Sequence, residues 1–298
     1  TALLLKARAV LEDAKAASAA SEHDHRVAHN ALLHALASCG RASSAKALFT
    51  GMLTHGPSPD VISFNAVIDA AAQAGDADAA FDLYAGMLAL GRAEAAAGAE
   101  AGIHPPPPPT IRPDVETFGA LMHACARRAR AADAEAVLTA ARAAGVAPTV
   151  QLYTSLAAAA VAAGDTYRAF AAVDELRADG LAPTGPTYGV LLAACELRGD
   201  VDKALSLYRA AIADGVRPTD EAHNALMSVC GAAGRFDDAL DCVKSLLSGD
   251  LAPSADPALR TDALNSAARA LAGAGFVDRA VRVTALLRAA VGPGAPTP

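Results

Sequence analysis

The sequence predicts an all-α chain, a right-handed solenoid of about seven helix-turn-helix repeats, each 35 residues long. Three residue types keep that period independently. Prolines stand at Pro148, Pro183, Pro218 and Pro253; glycines at Gly164, Gly199 and Gly234; alanines at Ala134, Ala169, Ala204 and Ala239. Composition agrees. Hydrophobic residues make up 53% of the chain, aromatics only 4%, and there is no Trp. Alanine supplies most of the excess, and thin layers of stacked helices can pack on Ala and Leu where a single globular core needs larger side chains.

Gly40 with Gly75, and Ala45 with Ala80, carry the period toward the N-terminus, and Gly275 with Ala280 carry it past a short slip to the C-terminus. The repeats are therefore expected at 26–60, 61–114, 115–149, 150–184, 185–219, 220–254 and 261–295. Residues 1–25 are expected to form a partial repeat or capping helix followed by a polar connection. The first helix of each repeat sets apolar residues one turn apart, as in Phe64, Val67 and Ile68, or Tyr188, Leu191 and Leu192. It stops near the glycine, which tolerates the left-handed conformation of a helix end. The second helix follows, as in Ala80, Leu83, Tyr84 and Met87, and closes at a turn such as Gly215-Val216-Arg217-Pro218, since proline cannot continue a helix interior. Two stretches interrupt the scheme: an insertion at 92–112 that ends in five prolines at 105–109, and a short one at 255–260. The Ala/Glu part of the first can extend its helix, and the prolines read as an extended, exposed loop.

The net charge of −7 weighs against indiscriminate nucleic-acid binding. No apolar run is long enough for a membrane span. The chain opens on Thr1 and closes on a linker-like 292–298, as a piece of a longer protein is expected to. Cys125, Cys195 and Cys230 share one repeat position with Ala71 and Ala160, and no C-x-x-C pair occurs. They are expected to be small core residues rather than metal ligands, and five cysteines without pairing fit a reducing compartment. His23 and His25 read as surface residues of the polar connection, whereas His29 and His223 occupy the packed slot of Phe64 and Tyr188. Asp76 with Asp78, and Asp237 with Asp238, follow repeat glycines and are expected to cap the second helix rather than to catalyse. No nucleophile–base constellation and no phosphate loop is present, and neither cofactor nor enzymatic activity is expected.

The segments Phe64-Asn65-Ala66-Val67-Ile68-Asp69, Ala74-Gly75 and Ala79-Ala80-Phe81-Asp82-Leu83-Tyr84, with a repeat closed by Pro-Asp, resemble the pentatricopeptide-repeat family, P-type, over roughly residues 26–290. The resemblance implies single-stranded RNA laid along the concave face, one base per repeat, each read by two or three side chains. Its reading pairs fall on Asn30 with Asp60 and Asn65 with Asp114, a combination the family links to uracil. They fall next on Gly119 with Thr149, Thr154 with Thr184, and Gly189 with Thr219, where glycine has nothing to read with. Asn224 with Ser254, linked to cytosine, and Asn265 complete the row. Val27 and Ile62 match the aliphatic positions that sandwich bases, which later become Glu116, Gln151, Pro186 and Glu221; Arg127 matches a phosphate-contacting position. The implied setting is an organelle, the chloroplast stroma ahead of the mitochondrion, and the implied partner an organellar mRNA. The order of Phe64 to Ile68, Phe118 to Cys125 and Tyr153-Thr154 is similar to that of a plastid member that matures and stabilises the Rubisco large-subunit transcript. The alternative is a protein-interaction scaffold, such as a subunit of an organellar ribosome or RNA-processing complex.

Overall fold

The computed structural model describes residues 22–100, 110–216, 218–235, 237–238 and 241. Among the described residues, every element of regular structure is a helix. In chain order these are α1 (Glu22–Ser38), α2 (Ala42–His55), α3 (Val61–Ala74), α4 (Ala77–Glu100), α5 (Val115–Arg127), α6 (Ala131–Ala143), α7 (Val150–Ala162), α8 (Thr166–Ala178), α9 (Gly185–Arg198), α10 (Val201–Ala213) and α11 (Asp220–Ala232). The chain divides into two compact units at Ala162/Ala163.

In the first unit α1, α3, α5 and α7 pack in succession as one layer, and α2, α4 and α6 lie against them as a second. A helix pair cannot bury its apolar face alone, so each pair borrows the next. The core is built of Leu33, Phe49, Phe64, Ile68, Phe118, Leu121 and Tyr153, all at most 3% exposed. Phe49 meets Phe64 edge to face with centroids 4.8 Å apart, a favoured aromatic geometry. In the second unit α9 packs on α11 in the same manner, with α8 and α10 behind. Tyr188, Leu192, Tyr208 and Leu226 fill its interior.

The second helices start as the sequence leads one to expect. Asp76, Asp165 and Asp200 stand just ahead of α4, α8 and α10, and each carboxylate accepts a backbone N–H three residues on, from Ala79, Arg168 and Lys203 at 2.9–3.1 Å. Asp78 and Asp238 do something else. Arg130, at the N-cap of α6, pairs with Asp133 on its own helix and reaches back to Asp78 on α4 at 2.5 Å. Arg235 repeats the arrangement with Asp238 at 2.6 Å and Asp202 at 2.7 Å. Asp78 and Asp202 are 87% and 84% exposed, so solvent screens these ties and they act mainly to hold register.

Gly75, Gly164, Gly199 and Gly234 adopt positive φ at their helix ends. The same repeat position between α5 and α6 holds Ala129, which is forced to φ +55°. An L-residue there is strained by about 1 kcal/mol. Ala129→Gly is therefore expected to raise stability by about 0.5–1 kcal/mol in a denaturant titration, the gain being trimmed by the extra freedom glycine has when unfolded.

One expectation needs correction. The polar connection expected at 22–25 is helical, since α1 begins at Glu22. Glu22 and Asp24 in its first turn favour a helix N-terminus, and the Glu22 carboxylate also accepts the Ser58 N–H at 3.3 Å. His23 and His25 thus ride on α1; His29 is half-buried and donates from Nδ1 to the His25 carbonyl at 2.6 Å, while His223 is buried. The Ala/Glu part of the insertion extends its helix, as expected. α4 runs on to Glu100, and the Glu94 carboxylate accepts the Thr110 N–H and hydroxyl and the Ile111 N–H at 2.8–3.2 Å, fastening the returning segment. The prolines at 105–109 lie outside the described residues.

Cys125, Cys195 and Cys230 are fully buried, as their shared position with Ala71 and Ala160 implies. Burial, with Asp133 beside Cys125 and Asp200 beside Cys195, pushes both thiols up to about 11. A thiol held protonated in the fold loses its stabilising share as pH rises from the unfolded value toward the folded one. Native stability is expected to fall between about pH 9 and 11. At neutral pH a thiol reagent should label the exposed Cys39 in the folded chain and spare these two.

Candidate functional site

The helices of the first layer in unit 1 present one face to an open groove of about 840 Å³, lined by α1, α3, α5 and the start of α7. Its exposed apolar points are Val27, Ile62 and Val115, at 51%, 61% and 45% exposure. Val27 and Ile62 stand one residue after the expected repeat starts. Val115 stands at the start itself, and the sequence alone gave no reason to single it out, because Glu116 holds the equivalent position and also lines the groove.

Between these points sit Asn30 and Asn65, 8% and 7% exposed. Each is the centre of one network, built twice. Asn30 Nδ2 donates to Asp60 Oδ1 at 3.0 Å, and Ser63 Oγ donates to Asn30 Oδ1 at 2.6 Å. Asn65 Nδ2 donates to Asp114 Oδ1 at 3.0 Å, and Thr117 Oγ1 donates to Asn65 Oδ1 at 2.6 Å. The carboxylates have a local reason to be there. Asp60 and Asp114 are the N-caps of α3 and α5, accepting the backbone N–H of Ser63 and Thr117 at 2.9 Å. In return the Ser63 and Thr117 hydroxyls accept the N–H of Asp60 and Asp114 at 3.2 and 3.1 Å, closing a capping box. A hydroxyl has one hydrogen, and the shorter contact places it on the asparagine oxygen rather than on the carboxylate at 3.0 Å. Each amide is therefore anchored through one N–H and one lone pair, with the oxygen and nitrogen ends assigned by different partners. It keeps one N–H and one lone pair unspent.

Ser63 and Thr117 were not recognisable as site residues from the reading pairs. The signal was available: a hydroxyl residue three positions after an N-cap Asp is the reciprocal half of a capping box. Arg26 is a further addition, pairing with Asp60 Oδ2 at 3.2 Å.

The other expected site residues are disposed differently. Gly119 faces open space, so its repeat contributes a gap beside Glu116 and His123. Thr149 accepts the Leu152 N–H at 3.4 Å. In unit 2 the Thr219 hydroxyl lies 3.2 Å from where a side chain on Gly189 would begin, and Thr219 caps α11 through the Ala222 N–H. Thr184 caps α9. Thr154 is half-buried and Asn224 is exposed. Ser254 and Asn265 lie outside the described residues. Arg127 is exposed at the end of α5, in the register that places Gln73 on the groove, but it does not line the groove itself. Its neighbours Arg128 and Arg130 are engaged in packing repeats, Arg128 through the Gly75 carbonyl and Arg130 through Asp78 and Asp133.

The groove carries the carboxylates of Asp69 and Glu116 and the imidazoles of His34 and His123, and among the described residues no Lys or Arg lines it. Among the described residues no three His, Cys, Asp or Glu side chains converge to hold a metal ion, and no helix is long and apolar enough to cross a membrane.

Three family-model matches fall on the chain. The PPR repeat model matches residues 27–57 and 62–92, and the model described as the pentacotripeptide-repeat region of PRORP matches residues 115–249. No curated protein matches. Among solved structures, the pentatricopeptide repeat protein PPR10 in complex with an 18-nt psaJ RNA element is 22% identical, with a TM-score of 0.63 over 98% of this chain and 36% of that one. The crystal structure of PPR10 from maize is 27% identical, with a TM-score of 0.50 over 88% of this chain and 34% of that one. The chain thus spans about a third of the length of these structures.

Proposed function

Because this chain belongs to the pentatricopeptide-repeat family, we propose that it binds single-stranded RNA along the groove of unit 1 and selects bases there with Asn30 and Asn65. One observation carries the reading: the twice-built network that fixes each amide in orientation while leaving it one donor and one acceptor. A pyrimidine edge such as that of uracil offers one acceptor and one donor in return, and an amide that cannot flip distinguishes the two orders. A paired contact of that type discriminates between bases by about 1–3 kcal/mol. The exposed Val27, Ile62 and Val115 offer apolar faces against which unstacked bases can lie. The solved PPR10 complex with its psaJ element is the fold-level precedent.

Titrating the chain with a uracil-containing single-stranded RNA tests this. Asn30→Ala with Asn65→Ala is expected to weaken binding by about 10-fold to 100-fold; unchanged affinity rejects readout by these repeats. The finer proposals are action in the stabilisation or 5′ maturation of an organellar mRNA, in the chloroplast ahead of the mitochondrion, with the Rubisco large-subunit transcript as first candidate. The supporting mechanism is passive: an occupied stretch of RNA blocks an exonuclease.

A second reading has its own observation. Phosphate contacts require cations, and the groove offers Asp69 and Glu116 with no Lys or Arg. On that reading unit 1 is a protein-interaction scaffold. The salt dependence separates the two: an RNA-binding groove loses affinity steeply as salt rises, and a scaffold shows weak RNA binding with a shallow slope.

A further inference from the structure

We propose that unit 2 carries a separate nucleotide site in the cavity between α8, α9 and α10. The cavity has a volume of about 320 Å³, at the lower end of what small-ligand sites occupy. Its floor is apolar, with Val173 and Leu191 each 1% exposed. Its rim combines two aromatic rings with net positive charge. Tyr167, in the first turn of α8, is 81% exposed and presents its ring at the mouth of the cavity. Phe170 lies one turn on, with Lys203 Nζ 5.7 Å from its ring centroid.

The charges decide what the cavity favours. Arg177 is answered by Asp174 at 3.6 Å, and Asp200 is occupied in capping α10 through the Lys203 N–H at 3.1 Å. Arg198 and Lys203 form no ion pair with a carboxylate among the described residues, and both line the cavity. Arg177, Arg198 and Lys203 against Asp174 and Asp200 leave one net positive charge beside two aromatic rings, which suits a ligand with a flat π-face and a phosphate, that is, a nucleotide. Stacking on such rings contributes about 1–3 kcal/mol per base, and cations follow the phosphate. An inorganic anion leaves Tyr167 unused. A free nucleotide and one residue of a single strand share this chemistry. The site is independent of how the groove of unit 1 reads bases.

The chain contains no Trp, so Tyr167→Trp installs a single reporter at the rim. Its emission is followed on adding AMP, single-stranded octa-adenylate, or inorganic phosphate as control. The expected result is quenching by a nucleotide probe and not by phosphate. Adding Arg198→Ala and Lys203→Ala should raise the half-saturation concentration at least about fivefold, the loss of two charge-assisted phosphate contacts. Arg209→Ala, exposed on α10 and outside the cavity, should leave it unchanged. Quenching by AMP identifies a free nucleotide as sufficient, and quenching by octa-adenylate alone identifies a strand. Equilibrium dialysis of the same probes with the chain lacking the tryptophan, with and without Arg198→Ala and Lys203→Ala, should give the same order. No response to any nucleotide, or a response indifferent to loss of both cations, overturns the proposal.

Discussion

Replacing Asp114 with Ala is expected to lower the stability of unit 1 by about 2–4 kcal/mol in a denaturant titration. One oxygen of this carboxylate accepts from two donors, the Thr117 N–H at 2.9 Å and the Asn65 amide at 3.0 Å. Losing the cap of α5 costs about 1 kcal/mol. The remainder comes from stranding an amide that is 7% exposed, since a buried donor without a partner costs about 1–3 kcal/mol. Asp114→Asn keeps an acceptor in place and should recover most of the loss. Asp200→Ala is the comparison, because that carboxylate serves the single backbone N–H of Lys203 and its removal should cost only about 1 kcal/mol. Equal losses at the two sites mean that the amide network adds nothing to the cap.

The second large effect is on selectivity. Ser63→Ala combined with Thr117→Val leaves both asparagines in place but removes the hydroxyls that hold their oxygens. Both positions are fully buried, so neither change touches RNA directly. Freed on one side, each amide can turn and offer donor and acceptor in either order. Discrimination for uracil over other bases is expected to fall about tenfold, or about 1.4 kcal/mol, with a smaller change in affinity for the preferred strand. Competition between two strands that differ only in base identity checks this. A parallel fall in affinity for every strand points instead to a damaged fold.

Much of this architecture was legible because the period is written in residues with strong local meaning. Proline ends a helix, glycine takes the left-handed turn, and small residues recur where helices cross. The helix-pair grammar around Phe64, Val67 and Ile68 therefore translated directly into packed layers. What escaped lies where no period marker stands or where partners are far apart in sequence. The start of α1 at Glu22 precedes every repeated proline and glycine. Ala129 in a left-handed turn shows only as a glycine missing from its place. The Arg130–Asp78 tie joins residues 52 apart and needs both helix ends in space to be seen. The candidate site was half legible. Asn30, Asp60, Asn65 and Asp114 came from the family's pattern, but Ser63 and Thr117, which lock the amides, follow from cap chemistry. The pattern also gave no warning that Arg128 and Arg130 are tied into inter-repeat packing, leaving Arg127 free beside a groove without cations.

The central claim is that Asn65 touches a base. A double-mutant cycle measures this directly: Asn65→Ala on the protein against a uracil-to-adenine change in a strand whose register has been set by moving a single uracil along an adenine-rich sequence. The two changes are expected to be coupled by about 1–3 kcal/mol, the uracil change costing affinity only while the amide is present. Strictly additive losses contradict it.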